Sequence, residues 1–103
     1  MEFFDKDGEF TQDVIVKFQE IFNKFDVDKD GSLNFNEFKE FMRVTNQKDV
    51  DKDIEDSTKE VFENFELDTK GHLTFEGFLD MYFMQTQADE EETIKDFKAY
   101  SLI

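Results

Sequence analysis

Residues 26–37 read DVDKDGSLNFNE and place oxygen-bearing side chains at regular intervals along the chain. The first, third, fifth, ninth and twelfth places hold Asp26, Asp28, Asp30, Asn34 and Glu37. Ca²⁺ is a hard cation that binds about 6–8 oxygen atoms. A short loop surrounds such an ion only if alternate residues turn their oxygens inward, and the glycine at the sixth place permits the sharp bend that this requires. The run therefore predicts a loop that binds one calcium ion.

Both flanks of this loop carry apolar residues at the spacing of one α-helical face. Before the loop they are Val14, Phe18, Ile21, Phe22 and Phe25, and after it they are Phe38, Phe41 and Met42, with Thr45 continuing the helical spacing. Such a stripe is buried when the helix packs against a partner. Residues 10–45 are therefore predicted to form a helix, the calcium loop and a second helix.

A related run lies forty residues further on, where residues 66–77 read ELDTKGHLTFEG. It keeps the central glycine and the apolar eighth place, but three of the ligand places are altered. Glu66 replaces the first aspartate, Lys70 brings a positive charge to the fifth place, and Gly77 removes the glutamate of the twelfth. Since calcium needs many oxygens, we predict that this second loop binds no ion and serves as the folding partner of the first.

These two units resemble the EF-hand family, and over residues 10–84 they are similar to one paired lobe of calmodulin-like proteins. The resemblance implies an all-α fold in which the two loops pair through a short antiparallel ribbon, with Leu33 facing Leu73. It implies carboxylate ligands from Asp26, Asp28 and Asp30, the backbone carbonyl of Ser32, a water-mediated contact from Asn34 and both oxygens of Glu37. Four acidic ligands indicate a dissociation constant of about 10⁻⁷–10⁻⁵ M.

The joints and the C-terminal segment are less sharply marked. Residues 46–53 are predicted to be a polar linker, so that the third helix begins near Asp56 or Ser57 within a degenerate EF-hand over residues 54–86. Residues 88–100 have the pattern of an extra, fifth helix. Asp89 with Glu92 fits an N-terminal capping arrangement, and Ile94 with Phe97 forms a short apolar stripe. This helix either fills the groove of the pair or begins a further domain.

Length and composition indicate one domain over residues 1–103, with a core rich in its 15 phenylalanines. The net charge of −15 disfavours nucleic acid and anionic lipid as partners. No apolar run approaches the ~20 residues of a membrane span. The chain lacks cysteine and has no secretion signal at its acidic N-terminus, so a cytoplasmic location is expected. The DKDG at residues 5–8 resembles half a calcium loop and is attributed to chance.

Two functions from different classes fit this pattern. In the first, the chain is a calcium sensor that opens when the ion binds and exposes an apolar groove to a target helix or a neighbouring domain. In the second, calcium only stiffens a fixed scaffold within a larger protein. An enzyme is not predicted, because the sequence places no nucleophile beside its single histidine, His72. Lys70 is either a tethered cation at the centre of the second loop or an exposed side chain.

Overall fold

Five helices and two short strands make up the computed structural model, which describes residues 2–46 and 51–103. The helices are α1 (Gln12–Phe25), α2 (Phe35–Asn46), α3 (Asp51–Asn64), α4 (Phe75–Ala88) and α5 (Glu90–Ala99), and the strands are β1 (Ser32–Leu33) and β2 (Leu73–Thr74). The predicted all-α fold with a fifth helix is therefore confirmed. Within the described part of the chain, no helix combines the length and apolar character needed to cross a membrane.

The two loops pair through β1 and β2, which run antiparallel with Ser32 opposite Thr74 and Leu33 opposite Leu73. Both leucine side chains are completely buried. Removing a side chain of this size from water contributes about 1.5–3 kcal/mol. The ribbon predicted from the repeat is therefore present, and it joins one helix–loop–helix unit to the other.

Aromatic rings fill the space between the helices. Phe78 of α4 has the ring centroid of Phe22 at 5.4 Å and that of Phe41 at 5.3 Å. Phe18 of α1 lies 4.6 Å from Tyr82, and all five side chains are almost completely buried. Tilted and edge-on pairs of this kind are favourable because the positive edge of one ring meets the negative face of another. The predicted phenylalanine-rich core is therefore present.

The C-terminal helix α5 packs across the pair. Its Phe97 is completely buried, with its ring 4.9 Å from Phe18 of α1 and 5.8 Å from Phe3. Ile94 is partly buried against the same core. The helix therefore packs against the pair, which is one of the two roles that the sequence leaves open for it.

The start of α5 differs from the predicted capping arrangement. Asp89 is the N-cap, but its Oδ1 accepts a hydrogen bond from the Glu91 N–H at 3.1 Å. The Asp89 N–H donates to the Gln85 carbonyl of α4 at 2.7 Å, so it is not left for the predicted partner, Glu92. The physical reason is the short joint, because a single residue both ends α4 and begins α5.

The start of α3 is also a correction, because the helix begins at Asp51 rather than near Asp56. Ile54 and Thr58 are buried, and the Thr58 hydroxyl donates to the Ile54 carbonyl at 2.7 Å. Burial of these side chains outweighs the modest helix propensity of the charged residues around them. Residues 47–50 of the predicted linker lie outside the described residues.

A buried carboxyl lies between α4 and α5. Asp96 is 7% exposed, and its Oδ2 accepts hydrogen bonds from the Tyr82 hydroxyl at 2.9 Å and from Gln85 Nε2 at 3.5 Å. Burial raises the pKa of Asp96, and these two hydrogen bonds only partly offset the rise. The nearby charge of Glu92 raises the pKa further, and that of Lys95 lowers it.

We expect Asp96→Asn to stabilise the fold more at pH 7 than at pH 4. A carboxyl whose pKa is raised by folding stabilises the native state while protonated, and that contribution is lost as the pH rises through the folded pKa. The amide of asparagine still accepts the Tyr82 hydrogen bond but is never charged. Urea unfolding at both pH values measures the difference, with the exposed Asp80→Asn as control. A gain that does not change with pH would contradict the assignment.

Candidate metal centre

Four carboxylates converge in the loop between α1 and α2. Asp26, Asp28, Asp30 and Glu37 each offer an oxygen, and these oxygens all lie within 4.8 Å of one another. Asp26 directly follows α1 and Glu37 lies in the first turn of α2, so the two helices bring the ends of the loop together. Asp26 and Glu37 are buried, whereas Asp28 and Asp30 are exposed.

Glu37 is held pointing into the loop by backbone hydrogen bonds. Its Oε1 accepts the Asn34 N–H at 2.8 Å, and its Oε2 accepts the Val27 N–H at 2.8 Å. The Asn34 side chain in turn accepts the Glu37 N–H at 2.8 Å. The two residues form a reciprocal capping box, which satisfies N–H groups that the start of α2 would leave free. An asparagine three residues before a glutamate is the signal in the sequence for this role, beyond the water-mediated contact predicted for Asn34.

Asp26 and Gly31 close the other side of the loop. Asp26 Oδ2 accepts the Gly31 N–H at 3.0 Å, and its Oδ1 accepts the Asp30 N–H at 3.2 Å. Gly31 has a φ of 86°, a left-handed conformation that glycine adopts without a Cβ clash. The predicted bend at the sixth place is present, and it turns two N–H groups towards the first aspartate.

Ser32 lies beside the cluster, where it is buried at the start of β1. Its N–H donates to Asp30 Oδ1 at 3.0 Å. All six predicted ligand residues are therefore brought to one loop. The role of each as a calcium ligand, including that of the Ser32 carbonyl, stays a prediction.

The chemistry of this loop fits the ion that the sequence implies. Desolvation by the surrounding loop raises the pKa of the exposed Asp28, an effect that the adjacent Asp30 carboxylate reinforces, whereas the Ser32 N–H lowers the pKa of Asp30. Carboxylates held this close repel one another, and a cation relieves that repulsion. The four carboxylates are hard oxygen donors, which suit Ca²⁺ better than a softer transition metal.

The second loop is closed by its own hydrogen bonds. The Glu66 carbonyl accepts the Thr74 N–H at 3.2 Å, and the Thr74 hydroxyl donates to Glu66 Oε2 at 2.9 Å. The same hydroxyl oxygen accepts the Gly77 N–H at 3.0 Å and so caps α4. Lys70 is exposed and forms no ion pair with any described residue. Thr74 and Glu66 hold this loop, so the exposed role for Lys70 is the one that the fold supports.

Gly77 leaves no space for a side chain at the twelfth place of this loop. A Cβ atom on Gly77 would lie 2.6 Å from the Glu66 carbonyl oxygen and 2.9 Å from Leu73 Cδ1. The backbone has closed over the position from which a glutamate would reach an ion. This closure supports the prediction that the second loop binds no calcium.

We expect Gly77→Ala to lower the free energy of unfolding by about 1–3 kcal/mol, because the added methyl group forces the Glu66 backbone to move. Asp80→Ala, an exposed change one turn further along α4, is the matched control and should stay within about 0.5 kcal/mol. Urea denaturation followed by circular dichroism compares the two variants. Equal stability of Gly77→Ala and the unsubstituted chain would show that the close contact does not exist.

The N-terminal turn at residues 5–8 repeats the backbone of the second loop. In each turn, the side chain of an aspartate accepts the N–H of the second residue after it. The backbone carbonyl of the same aspartate accepts the N–H of a glycine, the third residue after it. The aspartates are Asp5 and Asp68, and the glycines are Gly8 and Gly71, with φ of 81° and 80°. The DKDG resemblance that the sequence leaves to chance therefore extends to geometry. If Gly8 is counted as the sixth place of a loop, the twelfth place is Val14. Val14 is completely buried, so this turn leads into the core.

Comparison with known proteins agrees with this geometry. A family model of the EF-hand domain pair matches residues 15–83, well over half of the chain. The matched span begins within α1 and ends within α4, so it includes both loops and leaves out α5. No match was found among curated proteins or solved structures. On the match and the paired loops together, the chain belongs to the EF-hand domain-pair family of calcium-binding domains.

Proposed function

We propose that this chain is a calcium-binding module in which one ion stabilises an already closed helical scaffold, and that the scaffold holds a neighbouring domain of a larger protein. The position of α5 carries the proposal, because Phe97 is completely buried with its ring 4.9 Å from Phe18. A sensor exposes apolar surface to a target, whereas here a helix of the chain covers it. EF-hand domains typically bind or regulate rather than catalyse. The cytoplasmic location predicted from the sequence belongs to the same proposal.

Side-chain hydrogen bonds hold α5 against the pair. They join Tyr82 to Asp96 at 2.9 Å, Thr86 to Thr93 at 2.7 Å, and Thr45 to Tyr100. The first two are fully buried. Separating a buried pair leaves polar atoms without partners, at a cost of about 1–3 kcal/mol. Displacement of α5 by a target helix is therefore disfavoured, which supports the fixed scaffold.

The geometry of the first loop suits a bound ion. Glu37 and Asp26 point inward through hydrogen bonds with backbone N–H groups of the loop. Bound calcium would supply the positive charge that offsets the repulsion among the four carboxylates. Because Asp26 follows α1 and Glu37 begins α2, such an ion would join the ends of these two helices.

A second candidate, the calcium sensor, is favoured by an apolar groove between α2, α3 and α4. The groove has a volume of about 550 Å³, and its apolar lining is Met42, Val61, Phe65 and Met84. Methionine side chains are flexible and adapt to different partners, and Met84 is 61% exposed. An amphipathic helix is the partner that this groove would hold in a calcium-dependent way.

Calcium titration separates the two candidates. For the scaffold, we expect calorimetry to give one ion per chain, with NMR shifts confined to residues 26–37 and β2 and with unchanged amide exchange in α5. Thermal melts should rise, because a ligand of the native state adds RT ln(1 + [L]/Kd), about 2.7 kcal/mol at a hundredfold excess. Shifts across all helices with faster exchange in α5 would favour the sensor. Identical melts in calcium and in chelator would reject calcium binding itself.

A further inference from the structure

Side chains of the second loop contact side chains of the first, in addition to the pairing of β1 with β2. Ser32 Oγ donates a hydrogen bond to Asp68 Oδ2 at 2.9 Å. A second contact joins His72 of the second loop to Asp30 of the first, with His72 Nδ1 3.3 Å from Asp30 Oδ2. The loop without calcium ligands therefore touches two residues of the loop predicted to bind the ion.

The Ser32 hydroxyl has one proton and two carboxylate acceptors within reach. Asp68 Oδ2 lies at 2.9 Å and Asp30 Oδ1 at 3.3 Å. Asp30 Oδ1 already accepts the Ser32 N–H at 3.0 Å. If Asp68 could not accept, the hydroxyl proton would turn to Asp30, and two donors would then compete with a cation for the same oxygen.

We propose that Asp68, in the second loop, is a positioning residue for the calcium site of the first loop: by accepting the Ser32 hydroxyl, it keeps a second donor away from Asp30 Oδ1. The inference rests on the proposed calcium binding by the first loop and assigns a residue outside that loop to it. Asp68 is not itself a ligand, since it acts through Ser32.

The conformation of Asp68 suits this role. Its Oδ1 accepts the Lys70 N–H at 2.9 Å and the His72 N–H at 3.0 Å, which leaves Oδ2 facing Ser32. These two backbone N–H groups hold the Asp68 carboxylate in the orientation that presents Oδ2 to the Ser32 hydroxyl. A hydroxyl that donates to a carboxylate forms a strong, charge-assisted hydrogen bond.

A double-mutant cycle with Ser32 tests the proposal. Asp68→Asn keeps an oxygen for the Lys70 and His72 N–H groups but turns an NH₂ group, which cannot accept, towards Ser32. The loss of one hydrogen bond corresponds to a roughly threefold to tenfold weaker Kd for calcium. In the Ser32→Ala background no hydroxyl competes for Asp30, so the same Asp68→Asn change should weaken binding by less than about twofold. Calorimetry measures Kd for the four proteins, and melts in chelator check that each is folded.

The outcomes are distinct. If the unsubstituted chain binds no calcium, the proposed function fails and this inference fails with it. If calcium binds but Asp68→Asn has the same effect with and without the Ser32 hydroxyl, the carboxylate acts only through its charge and the proposal is overturned. A second measurement tests the proposal without the Asp68→Asn variant, in case that variant folds poorly. In chelator, Ser32→Ala should shift the carboxyl ¹³C resonance of Asp68 more than that of Asp30, and the reverse order would overturn the proposal.

Discussion

Phe97→Ala is expected to lower the free energy of unfolding by about 3–5 kcal/mol, the usual cost of truncating a buried aromatic ring. The ring is completely buried, 4.9 Å from Phe18 and 5.8 Å from Phe3, so its removal opens a cavity where three segments of the chain meet. Small domains have a total stability of about 5–15 kcal/mol. A large share of the stability would then depend on one residue outside the matched EF-hand pair. Urea unfolding followed by circular dichroism measures it.

The matched control for this prediction is Met84→Ala on α4. Met84 is 61% exposed, and an exposed truncation of this kind should stay within about 0.5 kcal/mol. Phe97→Leu, which keeps an apolar side chain, should cost less than the alanine variant. Amides of α5 should exchange faster in Phe97→Ala than in the unsubstituted chain. A loss of stability no larger than that of Met84→Ala would mean that α5 is not docked.

Glu37→Gln is expected to weaken calcium binding by about a hundredfold, which corresponds to about 2.7 kcal/mol. The amide offers one oxygen instead of two and carries no charge, whereas calcium loops of this family take both oxygens of the twelfth residue. The substitution also removes hydrogen bonds that hold the first loop together. Glu37 Oε2 accepts the Val27 N–H and Oε1 accepts the Asn34 N–H, and an amide nitrogen cannot replace either acceptor.

The control for this prediction is Glu76→Gln in the second loop. Glu76 is exposed in the first turn of α4, so this change removes one negative charge without altering the four-carboxylate cluster. Calorimetry should give a Kd for Glu76→Gln within about twofold of the unsubstituted chain, because exposed charges are screened by salt. Calcium affinity in Glu37→Gln equal to that of the control would place the ion elsewhere.

The two predictions address different parts of the proposed function. If Phe97→Ala changes the free energy of unfolding only slightly, α5 is weakly docked. A target helix could then bind the apolar face under α5, which would favour the sensor. A weak effect of Glu37→Gln would remove the calcium site assigned to the first loop. If both effects are large, the chain is a closed scaffold with a calcium site at one end.

The sequence by itself determined the local features of this protein. Within twelve residues it specified the four carboxylates, the bend at Gly31 and the start of α2 near Glu37, and the repeat predicted the ribbon that pairs Leu33 with Leu73. These features are readable because side-chain spacing along a loop or helix follows directly from backbone geometry over a few residues. The apolar stripes likewise identified most of the buried faces of α1 and α2.

Only the tertiary structure decided how distant residues meet. The burial of Phe97 against Phe18 and the contact of Asp68 with Ser32 join positions that no short period relates. The closure of the second loop over Gly77 is of the same kind, since a glycine in the sequence does not reveal which backbone atom lies 2.6 Å from its missing Cβ. Such contacts depend on the packing of whole helices, in which burial outweighs local propensity by several-fold.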